Sequence, residues 1–171
     1  MGTSHYKMIE ICTPPSYSKF KRKDAPTVFL AGSIEMGNAE DWQKRVIDYC
    51  RAKAPFDALT FYNPRRADWD SSWEQSLNSP NFYEQVSWEL DMLIASDIVY
   101  MYFDPSTQSP ISLLELGMFA NSGKMVVCCP DGFYRKGNVD VVCQKFNIPL
   151  FTDFDASLVA LRNKIREYPD W

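Results

Sequence analysis

Glu115 lies in Ser109-Pro-Ile-Ser-Leu-Leu-Glu-Leu-Gly-Met-Phe119, and of its helical neighbours three and four positions away, Ile111, Met118 and Phe119 are apolar and Ser112 is polar. A carboxylate on such a face is partly desolvated, which raises its pKa and leaves it poorly hydrated and nucleophilic. The same pattern also describes a surface Glu whose neighbours happen to be large. Glu89 borders the apolar stripe of the preceding helix, beside Gln85 and Ser96. Both carboxylates can overlook one cleft, and two carboxyl groups in unlike environments suit glycosidic cleavage: one attacks the anomeric carbon and the other moves a proton on the leaving group. Glu89 and Asp91 equally suit a solvated helix face.

Three further groups lie where an α/β sheet presents its ligands. Gly32-Ser33-Ile34 follows an apolar run and precedes a helix, so its backbone N–H groups and the Ser33 hydroxyl suit an anion or a sugar hydroxyl. It matches neither a dinucleotide fingerprint nor a Walker A loop, and an ordinary turn explains it as well. Asn63-Pro64-Arg65-Arg66 follows the next strand; its guanidinium groups can grip a phosphate or pair with Asp68 and Asp70. Trp69, Trp73 and Trp88 offer a stacking surface for a base, or simply pack.

The positioning elements follow from periodicity. Apolar runs at Thr27–Ala31, Ala58–Tyr62, Ile98–Phe103, Lys124–Cys129 and Ile148–Phe151 read as buried strands. Helices are expected over Ala39–Ala54, Phe82–Ser96, Ser109–Ser122 and Asp155–Glu167, with Ser109 as N-cap, Pro110 at the first helical position and Gly123 as the stop. Alternating strands and helices imply an α/β fold: a doubly wound, flavodoxin-like five-stranded parallel sheet with helices on both faces, binding ligands at the carboxyl ends of its strands. Residues 1–26 read as an N-terminal tail or arm, with room for a short edge strand at Lys7–Cys12, and 27–171 as a single domain. Arg65–Pro80 is a long polar loop of the sort that carries function.

Composition narrows the chemistry. Net charge is −4 and there is no basic block, which argues against a nucleic-acid polymer as partner. His5 is the sole histidine, so neither a His triad nor a His metal site is expected. The five cysteines form no CxxC pair or zinc spacing; no metal is expected, and free thiols suit a reducing, cytoplasmic location. No apolar run reaches the ~20 residues a bilayer span takes, so no membrane association is expected.

Val28-Phe-Leu-Ala-Gly-Ser-Ile34, Asn63-Pro-Arg-Arg66, Gln85-Val-Ser-Trp-Glu89, Ala95-Ser-Asp-Ile98 and the Glu-Leu-Gly segment at 115–117 occur in this order. Together they resemble the nucleoside 2-deoxyribosyltransferase family, especially its 2-deoxyribosyltransferase-like branch. The resemblance implies that Glu115 attacks C1′ of a 2′-deoxynucleoside, forming a glycosyl-enzyme ester that a second base or water resolves. It implies that Glu89 contacts the nucleobase and handles the leaving-group proton. Asn138 resembles a family Asn that reaches into a neighbouring subunit's site, which implies a homo-oligomer with shared active sites. No cofactor is implied. Two departures matter. The family's base-contacting Asp, six residues before the nucleophile, is here Ser109. Similar enzymes that hydrolyse deoxynucleoside 5′-monophosphates carry Ser there and a Gly-Ser-Ile turn, and bind the 5′-phosphate with these serines. The family's first-strand Tyr is here Phe29. The expectations are therefore a deoxyribosyltransferase, a 5′-monophosphate N-glycosidase, or a nucleotide-sensing domain without turnover.

Overall fold

The computed structural model describes residues 8–16, 25–34, 39–53 and 58–168; the basic cluster between Lys19 and Lys23 lies outside them. Six strands, β1 (Met8–Cys12), β2 (Thr27–Gly32), β3 (Ala58–Tyr62), β4 (Ile98–Tyr102), β5 (Met125–Cys128) and β6 (Leu150–Phe151), form one sheet. Its order is β1-β3-β2-β4-β5-β6, and every pairing is parallel. The five strands expected from the apolar runs make up the doubly wound core. β1, the sixth, pairs with β3 from Met8↔Ala58 to Cys12↔Tyr62 and extends the edge.

Both faces are covered, which is why these strands are apolar throughout rather than alternating. Val28, Leu30, Phe61, Tyr100 and Val126 point to one side, under Trp42, Val46 and Cys50 of α1 (Trp42–Lys53) and Leu158, Leu161 and Ile165 of α5 (Phe154–Arg166). Phe29, Ala31, Met101, Phe103 and Val127 point to the other, under α2 (Pro80–Ala95), α3 (Pro110–Phe119) and α4 (Lys136–Lys145). Apolar periodicity does not predict the helix over 136–145. Its inward stripe is only Val139, Val142 and Cys143 among charged neighbours, too sparse to stand out.

The helix ends follow local chemistry. Asp153 caps α5 by accepting from Ala156 N at 2.7 Å. Lys124 Nζ donates to the carbonyls of Leu93, Ile94 and Ser96, satisfying the C-terminal end of α2. Ser109 stands at the N-cap of α3 and Pro110 begins it, but Ser109 is left-handed (φ 46°) and its side chain makes no capping bond. A single-turn 3-10 extension, residues 120–122, follows α3 and stops at Gly123 (φ 74°).

The order of strands reverses at β2, which has β3 on one side and β4 on the other. The carboxyl ends of β2 and β4 meet there, with Gly32 directly opposite Tyr102. That is the crevice in which open α/β sheets bind ligands.

Candidate active site

Glu115 belongs to the inward face of α3, where Ser112, Glu115 and Leu116 are buried; the residue is only 7% exposed. Leu116 beside it joins the core formed by Phe29, Trp88, Met101 and Phe103. Ile111 and Met118, which the sequence pattern made responsible for its desolvation, point outward and are exposed. Sheet and core therefore dry this carboxylate, with Ser112 and Phe119 the helical neighbours that turn inward beside it. Glu89, half-buried on α2, is the charged group that acts on it.

Both carboxyls are held in the neutral direction. Burial, first, and the charge of Glu89, second, push Glu115 up to about 8. Burial pushes Glu89 up to about 7, and a hydrogen bond from Gln85 opposes it. Two coupled acids titrate as a pair, so the protons come off in two steps that belong to both. Between about pH 7 and about pH 8 the pair carries about one negative charge. One acid and one conjugate base within mutual electrostatic reach are the set a glycosidic cleavage uses.

Next to the β2–β4 crevice lies a knot of hydroxyls. Ser33, at the end of β2, is 1% exposed; its Oγ accepts from Asp104 N at 2.9 Å and lies 2.5 Å from Ser109 Oγ. Thr107 Oγ1 is 2.9 Å from Ser33 Oγ and 2.7 Å from Ser109 Oγ, and donates to Asp104 O at 2.8 Å. The left-handed backbone of Ser109 is what turns its hydroxyl toward Ser33, which lies 76 positions earlier in the chain. Gly32 makes the close approach possible, because a Cβ there would stand 2.1 Å from Tyr102 O. Ile34 follows, half-buried, its carbonyl accepting from Ala39 N.

The Asn63–Arg66 segment is committed to protein contacts. Asn63 Oδ1 accepts from Arg65 N at 3.1 Å. Arg65 donates to Gln43 Oε1 and to the carbonyls of Ala39 and Glu40, and stands 3.7 Å from Asp41. Arg66 grips Asp68 through Nε and Nη2 at 2.7 and 2.8 Å, and its guanidinium lies over the Trp73 ring at 4.9 Å. Of the pairings the sequence offered for these two arginines, Arg66 with Asp68 is present, whereas Arg65 faces Asp41 and Asp70 accepts from Ser72 N.

Trp69 and Trp73 meet edge to face at 5.2 Å. Trp88 does not join them. It is fully buried between Phe29 and Tyr62, with its Nε1 donating to Ser16 O at 2.9 Å, so it offers no face to a base. Phe29, in the family's Tyr position, is likewise sealed in the core against Trp88. Asn138 belongs to a different feature. With Leu113, Leu116, Gly117, Arg135, Val139 and Val142 it lines a groove of about 330 Å³ between α3 and α4. Neither Glu115 nor Glu89 lines it.

Sequence reasoning does not single out Gln85 or Thr107 as members of the site. Gln85 sits one helical turn before Glu89, which is a readable signal. Nothing local to Thr107 announces its place among the serines, since it depends on the β2–β4 pairing. Among the described residues no group of His, Cys, Asp and Glu could hold a metal ion, and no helix is long and apolar enough to cross a membrane.

A parallel, doubly wound sheet carries a desolvated acid pair on the helices that cover one of its faces, and such a pair is able to do acid–base or covalent chemistry on a small ligand. The chain belongs to the family described as nucleoside 2-deoxyribosyltransferase like, whose model matches residues 25–133. In fold it is similar to a conserved protein of Enterococcus faecalis V583 of known crystal structure, with a TM-score of 0.54 and 14% identity over 85% of this chain and 99% of that one. No curated protein matches it in sequence.

Proposed function

We propose that the chain cleaves the N-glycosidic bond of 2′-deoxynucleosides through a deoxyribosyl ester on Glu115 and passes the sugar to another base. The observation that supports this reading is the desolvated pair Glu115 and Glu89, coupled to each other and holding about one proton between them at about pH 7 to 8. The lower value of Glu89 leaves the shared proton mainly on Glu115, so the reaction proceeds from the other tautomer of the singly protonated pair, in which Glu89 holds the proton and ionised Glu115 attacks C1′ as the bond to the base breaks. The electron pair stays on the base nitrogen, which takes the proton of Glu89. An incoming base gives its proton back to Glu89, attacks C1′ and releases the Glu115 carboxylate, so no proton or electron is gained or lost.

A second reading, hydrolysis of deoxynucleoside 5′-monophosphates, is favoured by the Ser33, Thr107 and Ser109 hydroxyls beside the N-terminus of α3, where an anion is electrostatically welcome. Release of free base only when a second base is added establishes transfer. Release from 5′-monophosphates without an acceptor establishes hydrolysis. Binding of either ligand class with no release in any combination leaves a sensor and overturns the enzymatic reading.

The rate has a defined pH dependence. Below about pH 7 both acids become protonated and the nucleophile is lost; above about pH 8 both ionise and the proton donor is lost. A bell with its maximum between those values is expected for kcat/KM, measured by base release. A rate that is flat from about pH 5 to about pH 10 sinks the acid-pair mechanism.

Homo-oligomerisation belongs to the same proposal. Ile111, Leu114 and Met118 form an exposed apolar stripe on α3, each more than half exposed, next to the groove that holds Asn138. A second copy seated there would bring Asn138 near a neighbouring site.

A further inference from the structure

We infer that Gln85 is a positioning residue that fixes Glu89 Oε1 as an acceptor and leaves Oε2 as the one oxygen from which Glu89 exchanges a proton with the ligand. This rests on the acid-pair reading above and deepens it.

The geometry follows from what each group can donate. Arg66 is donor-only, and its Nη1 donates to Gln85 Oε1 at 3.3 Å. Gln85 Nε2 then donates to Pro64 O at 3.2 Å and to Glu89 Oε1 at 2.6 Å, one turn further along α2. Flipping the amide would turn its oxygen toward the Pro64 carbonyl and the Glu89 carboxyl, and its NH₂ toward a guanidinium. The contacts to Arg66 and Pro64 would then fail whatever the protonation of Glu89, so those two enforce one orientation. Both amide hydrogens are used, and Gln85 is only 4% exposed, so solvent offers no substitute partner.

Arg66 is itself immobilised. Its side chain is 6% exposed, doubly bonded to Asp68, close to Glu84 at 3.7 Å, and backed by the Trp73 ring. The charged groups around Glu89 are thus Glu115, which it acts on directly, and, behind Gln85, Arg66 with Asp68 and Glu84. The Asn63–Arg66 loop and its aromatic neighbour therefore act on Glu89 through Gln85. The donated bond favours the ionised form of Glu89, which opposes the burial that raises it. The proton is therefore poised for transfer instead of being locked on Glu89.

The test is the titration of the Glu89 carboxyl by carbon-13 NMR, alongside the pH–rate profile, in Gln85→Leu and Arg66→Met. With the donor gone, the Glu89 titration moves to higher pH by about one unit, and the two limbs of the profile share that upward shift between them. Maximal kcat falls about tenfold, as an unanchored carboxyl loses its orientation, while KM changes little. Arg66→Met gives a smaller shift of the same sign, because a freed amide samples both orientations. It also serves if Gln85→Leu does not fold. Unchanged Glu89 titration in both variants overturns the inference, whatever the activity. A shifted titration in a chain that turns over no deoxynucleoside or monophosphate upholds the inference and removes the proposed reaction.

Discussion

The Glu115→Gln variant is expected to lose turnover by on the order of 10³-fold or more while keeping the fold. The amide has nearly the size of the carboxyl but cannot form an ester with C1′. The same variant carries a stability signature. Folding favours protonated Glu115, because burial and Glu89 raise its pKa from 4.5 to about 8. Stability is fully present below about pH 4.5 and is lost as pH rises through about 8, where the folded chain must bury the ion. A neutral amide at this position carries no such penalty. Thermal denaturation should find the two proteins alike near about pH 4 to 5 and the variant the more stable at about pH 9, by on the order of 2 to 4 kcal/mol. Wild-type rates in the variant would exclude Glu115 as nucleophile. Equal stability in alkali would mean that the carboxylate stays hydrated.

Gly32→Ala is expected to cost about 3 to 5 kcal/mol, enough to lower the melting temperature by ~10 °C or more. Two causes add. Gly32 has φ 136°, a region nearly closed to residues with a side chain, and its Cβ would fall 2.1 Å from Tyr102 O and 2.8 Å from Tyr102 N. Those atoms are backbone of the central strand and cannot step aside without breaking the β2–β4 ladder. Gly137→Ala makes the control: nothing lies within 4 Å of its added Cβ, and it sits in a helix. It should raise stability slightly, by less than about 1 kcal/mol. A Gly32→Ala protein that melts with wild type would show that the two strand ends do not approach so closely.

The five core strands are legible in the sequence because parallel strands buried on both faces become continuous apolar runs. α4 is not, because its inward stripe is three apolar residues among Lys, Asp and Gln, and the exposed Val141 blurs the period further. The burial of Glu115 agrees with the sequence pattern, but its cause differs. Side chains at three and four positions share a helix face only loosely, and Ile111 and Met118 fall on the solvent side of that face. Trp88 has the makings of a stacking surface and is core, since residue type does not reveal which side of an amphipathic helix meets the sheet. Links such as Ser33 to Ser109, or Arg66 through Gln85 to Glu89, need the chain to be folded before they exist. Their members can be picked out as polar residues near strand ends, but their pairing is set by register and rotamer.

The placement of β1 has a consequence for where the working unit begins. The family match starts at residue 25, yet Met8–Cys12 completes the sheet and Ser16 receives the indole proton of Trp88 on the helix that carries Glu89. A chain trimmed to Thr27 would expose the raw edge of β3 to self-association and leave a buried indole donor without its acceptor. The leading segment thus behaves as a clasp, and the rigidity of the acid on α2 is partly secured by a stretch of polypeptide far upstream of it.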